Sequence, residues 1–124
     1  MKIQELRIGN YILDEEDFAT VEIINGEMED VTYMGPKTYL TDHISCIIPI
    51  VINAETLLKL GFKKTFDNEF NTSFSFNDLQ YHIPKHGLNN GFAFFKRMSF
   101  KTKYVHQLQN LYFALTNNEL VLNK

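Results

Sequence analysis

Four histidines, one cysteine and a run of four carboxylates are the residues here whose types suit metal binding or acid–base chemistry. The histidines are His43, His82, His86 and His106. His82 and His86 stand four apart, a spacing that shares a metal when it falls on a helix. Here the setting is a strand and a loop, with Pro84 between them and no cysteine or carboxylate cluster nearby, so no metal is expected. Asp14, Glu15, Glu16 and Asp17 are consecutive in a polar turn. Paired carboxylates do acid–base work only where burial or a neighbour drives their pKa values apart, and nothing in this stretch supplies either. Cys46 lies in the apolar run Ile44-Ser45-Cys46-Ile47-Ile48 and reads as a small core hydrophobe. There is no Gly-rich phosphate loop and no nucleophile elbow. The expectation is a non-enzymatic protein without a cofactor.

A binding signal is clearer than a catalytic one. Gly91-Phe92-Ala93-Phe94-Phe95 looks like the core of the aromatic signature of the RNA-recognition motif, whose sheet aromatics stack on bases. Lys96, Arg97, Lys101 and Lys103 follow and suit phosphates. The pattern departs in two places: Asn90 replaces the basic residue before the glycine, and Arg97 replaces the closing aromatic. The partner signature upstream is also missing. A buried Phe strand with a solvated basic end accounts for the same residues.

The elements that must position these side chains follow from composition and pattern. The 124 residues fit one domain, 1–124, which buries roughly two-thirds of its unfolded surface and needs no staple. Eleven Phe and six Tyr favour sheet over helix. A lone cysteine forms no internal disulfide. No segment reaches the ~18 apolar residues of a membrane span, and the N-terminus has no signal-peptide core, so a cytoplasmic protein is expected. The net charge of -3 is uneven. Residues 1–60 carry four basic and eleven acidic side chains, whereas residues 61–124 carry eight basic and four acidic.

Short strands are predicted over Arg7 to Leu13, Phe18 to Ile24 and Val31 to Met34, with Val21 and Ile23 on one face. Asn25-Gly26 predicts a two-residue type I′ hairpin. The run Ile44 to Ile52 contains Pro49, which places part of it at an edge or bulge. Asn53 caps a short helix, Ala54 to Leu60, stopped by Gly61. Strands over Phe62–Phe66, Glu69–Phe76, Leu79–Pro84 and Gly91–Met98 make an antiparallel meander, with a loop at 86–90. From about Lys103 to Thr116, Tyr104, Val105, Leu108, Leu111, Tyr112 and Leu115 form one helical stripe to dock on the second sheet. Thr102 is placed as its N-cap, and Glu119–Leu122 as a final strand. His106, Gln109, Asn110 and Phe113 lie opposite the stripe. The fold class is α+β: a small bent antiparallel sheet or SH3-like barrel, a short helix, a meander and a C-terminal amphipathic helix.

Two end motifs carry a resemblance. Leu6-Arg7-Ile8-Gly9-Asn10-Tyr11 and Tyr104-Val105-His106-Gln107-Leu108-Gln109-Asn110-Leu111-Tyr112-Phe113-Ala114-Leu115-Thr116 resemble the opening and closing motifs of a family of small uncharacterised proteins. That family occurs in Bacteroidetes genomes and in phage and prophage neighbourhoods. It brings no catalytic residues. The resemblance implies a counter-defence context, in which a small protein binds a host protein or ribonucleoprotein and inhibits a nuclease complex, as anti-CRISPR proteins do. An acidic surface suits a basic channel. On that reading the binding residues are Asp14, Glu15, Glu16, Asp17, Glu27, Glu29 and Asp30, gathered on a common rim, with His106, Gln109, Asn110 and Phe113. The alternative is an RNA- or single-stranded nucleic-acid-binding module using Phe92, Phe94, Lys96, Arg97, Lys101 and Lys103.

Overall fold

A computed structural model describes residues 1–85 and 91–123. The fold is α+β, with two antiparallel sheets and two α-helices. The chain divides into two compact units. The first holds Met1–Ile50 with Tyr104–Asn110, and the second holds Val51–Lys103 with Leu111–Lys124. Charge follows this division. The first unit carries three basic and ten acidic residues, and the second nine basic and five acidic.

In the first unit, β1 (Tyr11–Asp14), β2 (Asp17–Asn25), β3 (Asp30–Met34) and β4 (Tyr39–His43) pair in chain order. The sheet stays open, so the expected alternative of an SH3-like barrel is not adopted. A core of Ile3, Leu6, Ile12, Ala19, Val21, Val31, Tyr33, Ile44 and Ile47 covers one side. A bulge between Val21 and Ile23 breaks the expected alternation and turns Ile23 to solvent, 58% exposed. The hairpin at Asn25-Gly26 forms, but as a longer loop than a type I′ turn. Asn25 pairs with Asp30, Asn25 Oδ1 accepts the Met28 N–H at 3.1 Å, and the left-handed residue is Glu29, at φ 55°. β4 was not anticipated, because its exposed edge position leaves no apolar alternation to read.

The run beginning at Ile44 starts with a 3-10 turn, Ile44–Cys46, rather than a strand. Three residues per turn point Ile44 and Ile47 inward together and leave Cys46 exposed. The expected core cysteine is therefore a surface thiol. Beyond the turn, Leu13 bridges to Ile48, with the Leu13 N–H donating to the Ile48 carbonyl at 2.9 Å.

The second unit opens with α1 (Ala54–Lys59), capped by a reciprocal pair of bonds between Asn53 and Thr56 and stopped at Gly61, whose φ is +89°. Five strands follow: β5 (Lys63–Asp67), β6 (Asn71–Phe76), β7 (Leu79–Pro84), β8 (Phe92–Phe95) and β9 (Met98–Lys101), again in chain order. The segment Gly91–Met98 is thus not one strand. Lys96 and Arg97 turn it into a hairpin, with Lys96 at φ 56°. Phe74, Leu79, Tyr81, Ala93 and Phe95 are buried. Phe62, Phe76 and Tyr112 form a chain of ring contacts at 5.5 and 5.6 Å.

α2 (Val105–Thr116) gives its first turns to the first unit and its last turns to the second. Its apolar stripe therefore does not dock on the second sheet alone. Thr102 is not its cap: Gln107 Oε1 accepts the Tyr104 N–H at 3.1 Å, and the Thr102 hydroxyl is buried without a partner among the described residues. Asn117, at φ 60°, ends the helix as a left-handed cap. Glu119–Leu122 forms no strand. No helix among the described residues is long and apolar enough to cross a membrane.

Candidate nucleic-acid interface

Strand alternation sends Ala93 and Phe95 into the core and Phe92 and Phe94 to the other side of β8. Strand register then extends this outer side across the whole sheet. Phe66 opposes Ser73, Ser73 opposes His82, His82 opposes Phe92 and Phe92 opposes Lys101. A second row runs Lys63, Ser75, Gln80, Phe94, Ser99. With strands about 4.8 Å apart, each row spans roughly 19 Å. Phe66 reaches this face only because a bulge between Lys64 and Phe66 shifts the parity of β5, and it is 55% exposed. Lys63, Gln80, Ser99 and Lys101 are also exposed.

The aromatic patch is held in place from within. Phe92 and Phe94 have ring centroids 6.5 Å apart. His82 meets Phe94 edge to face at 4.7 Å, and its Nδ1 lies 2.6 Å from Ser73 Oγ. Gly91 is required where β8 begins, because a Cβ there would strike the Tyr81 ring. Tyr81 is locked in turn by donating its hydroxyl to the Thr102 carbonyl. The glycine of the aromatic signature thus serves close strand approach.

The basic candidates flank this face. Lys101 ends the first row, and Lys96 and Arg97 form the exposed β8–β9 turn. The Lys96 ammonium lies 5.5 Å from the Phe95 ring centroid. Lys103 follows β9 and is exposed. Lys64 and Lys85 pair with Asp67, whose carboxyl is held below its usual range first by Lys85 and then by Lys64.

The acidic candidates are placed differently from expectation. Asp14 and Asp17 close one end of β2 and the Glu27–Asp30 loop closes the other. Nine residues of strand separate them, up to ~30 Å, so they share no rim. Glu15, Glu16, Asp17, Glu27 and Glu29 are exposed, while Asp14 and Asp30 are half-buried. Near the second loop, His43 Nδ1 lies 2.9 Å from Ser45 Oγ and His43 Nε2 lies 3.6 Å from Glu29. This resembles a carboxylate–imidazole–hydroxyl relay. However, His43 Nδ1 also accepts the Ser45 N–H as a helix cap, and the His43 and Glu29 side chains are about half exposed. Capping therefore explains the contact.

The helix candidates turn inward. His106 and Gln109 are fully buried, which corrects their placement as an open face. Gln109 accepts the Tyr11 N–H at 2.8 Å and donates to the Gly9 carbonyl at 3.1 Å. Asn110 donates to the Glu5 carbonyl and accepts from Arg7 Nε and Asn10 Nδ2. The two end motifs are therefore one hydrogen-bonded structure, with Gly9 at φ +96° making the turn they share. Phe113 is half-buried. Gln109→Leu keeps the volume but removes the side-chain acceptor of the buried Tyr11 N–H and the donor to the Gly9 carbonyl. It should cost about 1–3 kcal/mol in urea denaturation.

Among the described residues His106 has no hydrogen-bond partner for either ring nitrogen, and its Nε2 lies 3.9 Å from Glu5 Oε1. Burial lowers its pKa, opposed by the Glu5 carboxylate, and burial also lowers that of His82. The unfolded chain takes up these protons near pH 6.5, the folded chain only at lower pH. Stability is therefore full above about pH 6.5 and falls as the pH drops below it. The melting temperature should be lower at about pH 5.5 than at about pH 7.5, and His106→Leu should narrow the difference, with His82 contributing the rest.

The histidine pair considered for metal includes His86, which lies outside the described residues. Among those described, no group of three or more His, Cys, Asp or Glu side chains could hold a metal ion. No family model, curated protein or solved structure matches the chain.

Proposed function

We propose that this chain is a non-catalytic binding module that takes up single-stranded nucleic acid on the outer face of its five-stranded sheet. The observation that carries the reading is the outward direction of Phe66, Phe92 and Phe94 beside His82, with Lys63 and Lys101 at opposite edges. Aromatic platforms that stack bases, flanked by cations that meet phosphates, are what sequence-tolerant single-strand binding uses. Nucleic acid also fits the excess of basic residues in this unit. The strand order is a plain meander, so the likeness to the RNA-recognition motif is one of surface chemistry rather than topology.

Fluorescence anisotropy with a labelled single strand tests this. Binding should weaken steeply with salt, and the matching duplex, whose bases are already stacked, should bind more weakly. No single-strand binding at low salt would rule the reading out.

A second reading rests on the first unit, where carboxylates outnumber basic groups ten to three. Its exposed acidic loops suit a basic host partner, such as a nuclease complex blocked by a phage counter-defence factor. Reversing Glu15, Glu16 and Asp17 to lysine should slow association with such a partner. The same change should leave single-strand binding on the other unit no weaker.

A further inference from the structure

Each sheet ends on two edge strands, and an open edge is ordinarily blunted by lysine, proline, a bulge or a covering segment. Three of these four edges carry such a device. Ile48 bridges to Leu13 on the open side of β1. β5 holds Lys63, Lys64 and the bulge before Phe66, and β9 ends in Lys101. β4 is different. Tyr39-Leu40-Thr41-Asp42-His43 contains no lysine, proline or bulge, and four of its five residues are exposed. Its one carboxylate, Asp42, is engaged by the Tyr33 hydroxyl at 2.6 Å.

The ladder to β3 fixes which amides point outward. Antiparallel partners alternate between pairs that exchange both backbone bonds and pairs that exchange none. The Gly35 N–H donates to the Thr38 carbonyl at 3.0 Å, and the Ile44 N–H donates to the Glu29 carbonyl at 2.7 Å. Counting by twos between these two bonded pairs makes Tyr33–Leu40 and Val31–Asp42 bonded as well. Tyr39, Thr41 and His43 therefore turn their N–H and C=O groups away from β3, to the open side. Three donor–acceptor pairs at every second residue form a template for one added strand.

Resting on the second reading above, we propose that β4 takes up an extended segment of a partner protein, with lysine or arginine at both its ends, as a fifth strand of the first sheet. The ladder selects an extended chain, and charge selects a basic one. Asp14, Glu15 and Asp17 join Leu40 around a hollow of about 270 Å³ at the Tyr39 end, with Lys37 the one cation there. Glu29 stands 3.6 Å from His43 at the other end. β4 spans roughly 17 Å, so a chain lying along it meets first one acidic loop and then the other. Pairing β4 with β4 of a second copy would instead bring together two units that each carry ten acidic and three basic residues.

The probe is a labelled eight-residue peptide with two lysines at each end and alternating valine and threonine between them, titrated against the full chain by anisotropy at low salt. It should bind. The same peptide N-methylated at its four central residues keeps its charge but cannot join a ladder, and should bind at least about tenfold more weakly. The version with glutamate for lysine should not bind. Thr41→Pro removes the central outward N–H and spares the β3 ladder, a change that edge strands tolerate. It should melt near the parent and bind the lysine peptide at least about tenfold more weakly. If it unfolds, the N-methylated peptide still decides the matter on the parent protein. Equal binding of the N-methylated peptide overturns the added strand and leaves charge attraction to the acidic unit standing. Equal binding of the glutamate peptide overturns the basic occupant. No binding of the lysine peptide overturns the β4 site, while the second reading is judged by its own charge reversal. Sedimentation of the protein alone covers the remaining occupant: self-association that Thr41→Pro abolishes assigns β4 to a second copy and overturns the partner segment.

Discussion

Replacing Phe92 and Phe94 together by alanine should weaken single-strand binding by about thirtyfold or more and leave the protein folded. Each aromatic platform contributes about 1–3 kcal/mol of stacking per base. Losing two removes at least about 2 kcal/mol, and every 1.4 kcal/mol is tenfold in affinity. The fold should survive because the buried side of β8 is carried by Ala93 and Phe95, which the change does not touch. Some stability will go with the contacts among Phe92, Phe94 and His82. Phe92→Tyr, which keeps the ring, separates the two effects and should bind nearly as well as the parent. Anisotropy and thermal melts on the same samples give both readouts. A double variant that melts normally and binds undiminished would show that the strand lies elsewhere.

This surface was half legible in the sequence. The residue types at Gly91 to Phe95 suggested base stacking, and period-two alternation separates Phe92 and Phe94 from Ala93 and Phe95. Alternation alone does not say which set faces the core, and a buried Phe strand fitted equally well. The deciding facts are long-range. Ala93 and Phe95 pair with Tyr81 and Leu79, and those two are buried. Phe66 was not readable at all, because the bulge that turns it outward leaves no mark in the apolar pattern. The same limit explains Ile23 in the first sheet.

The elements read most accurately were those with local causes. Asn53 and Gly61 bound α1 through a cap and a left-handed stop, both within a few residues of the helix they end. The acidic loops were read correctly as turns, but their supposed common rim needed the length and direction of β2. His106 and Gln109 misled for a related reason. A helical wheel assumes one packed face, and polar types are assigned to the other. Here the polar side is packed against the chain's own opening segment, with Gln109 and Asn110 serving as backbone partners for Glu5 to Tyr11. Nothing in periodicity marks a buried polar side chain whose partners lie about a hundred residues away.

That double-sided packing makes the apolar stripe of α2 unequal along its length, and the inequality is measurable. Leu108 is fully buried, whereas Leu111, one turn later, is only half-buried. Leu108→Ala should cost about 2–5 kcal/mol, the transfer free energy of the lost carbons plus the cavity they leave. Leu111→Ala removes the same atoms from a site that water already reaches in part, so its cost should be about 1 kcal/mol. A uniform stripe docked on one sheet predicts equal losses at the two positions. Urea denaturation distinguishes the cases, provided the slope m is the same in both variants so that midpoints report stability alone. Leu108 lies in the first unit and Leu111 in the second. A Leu111→Ala loss as large as that of Leu108→Ala would mean that the last turns of the helix are covered as fully as the first.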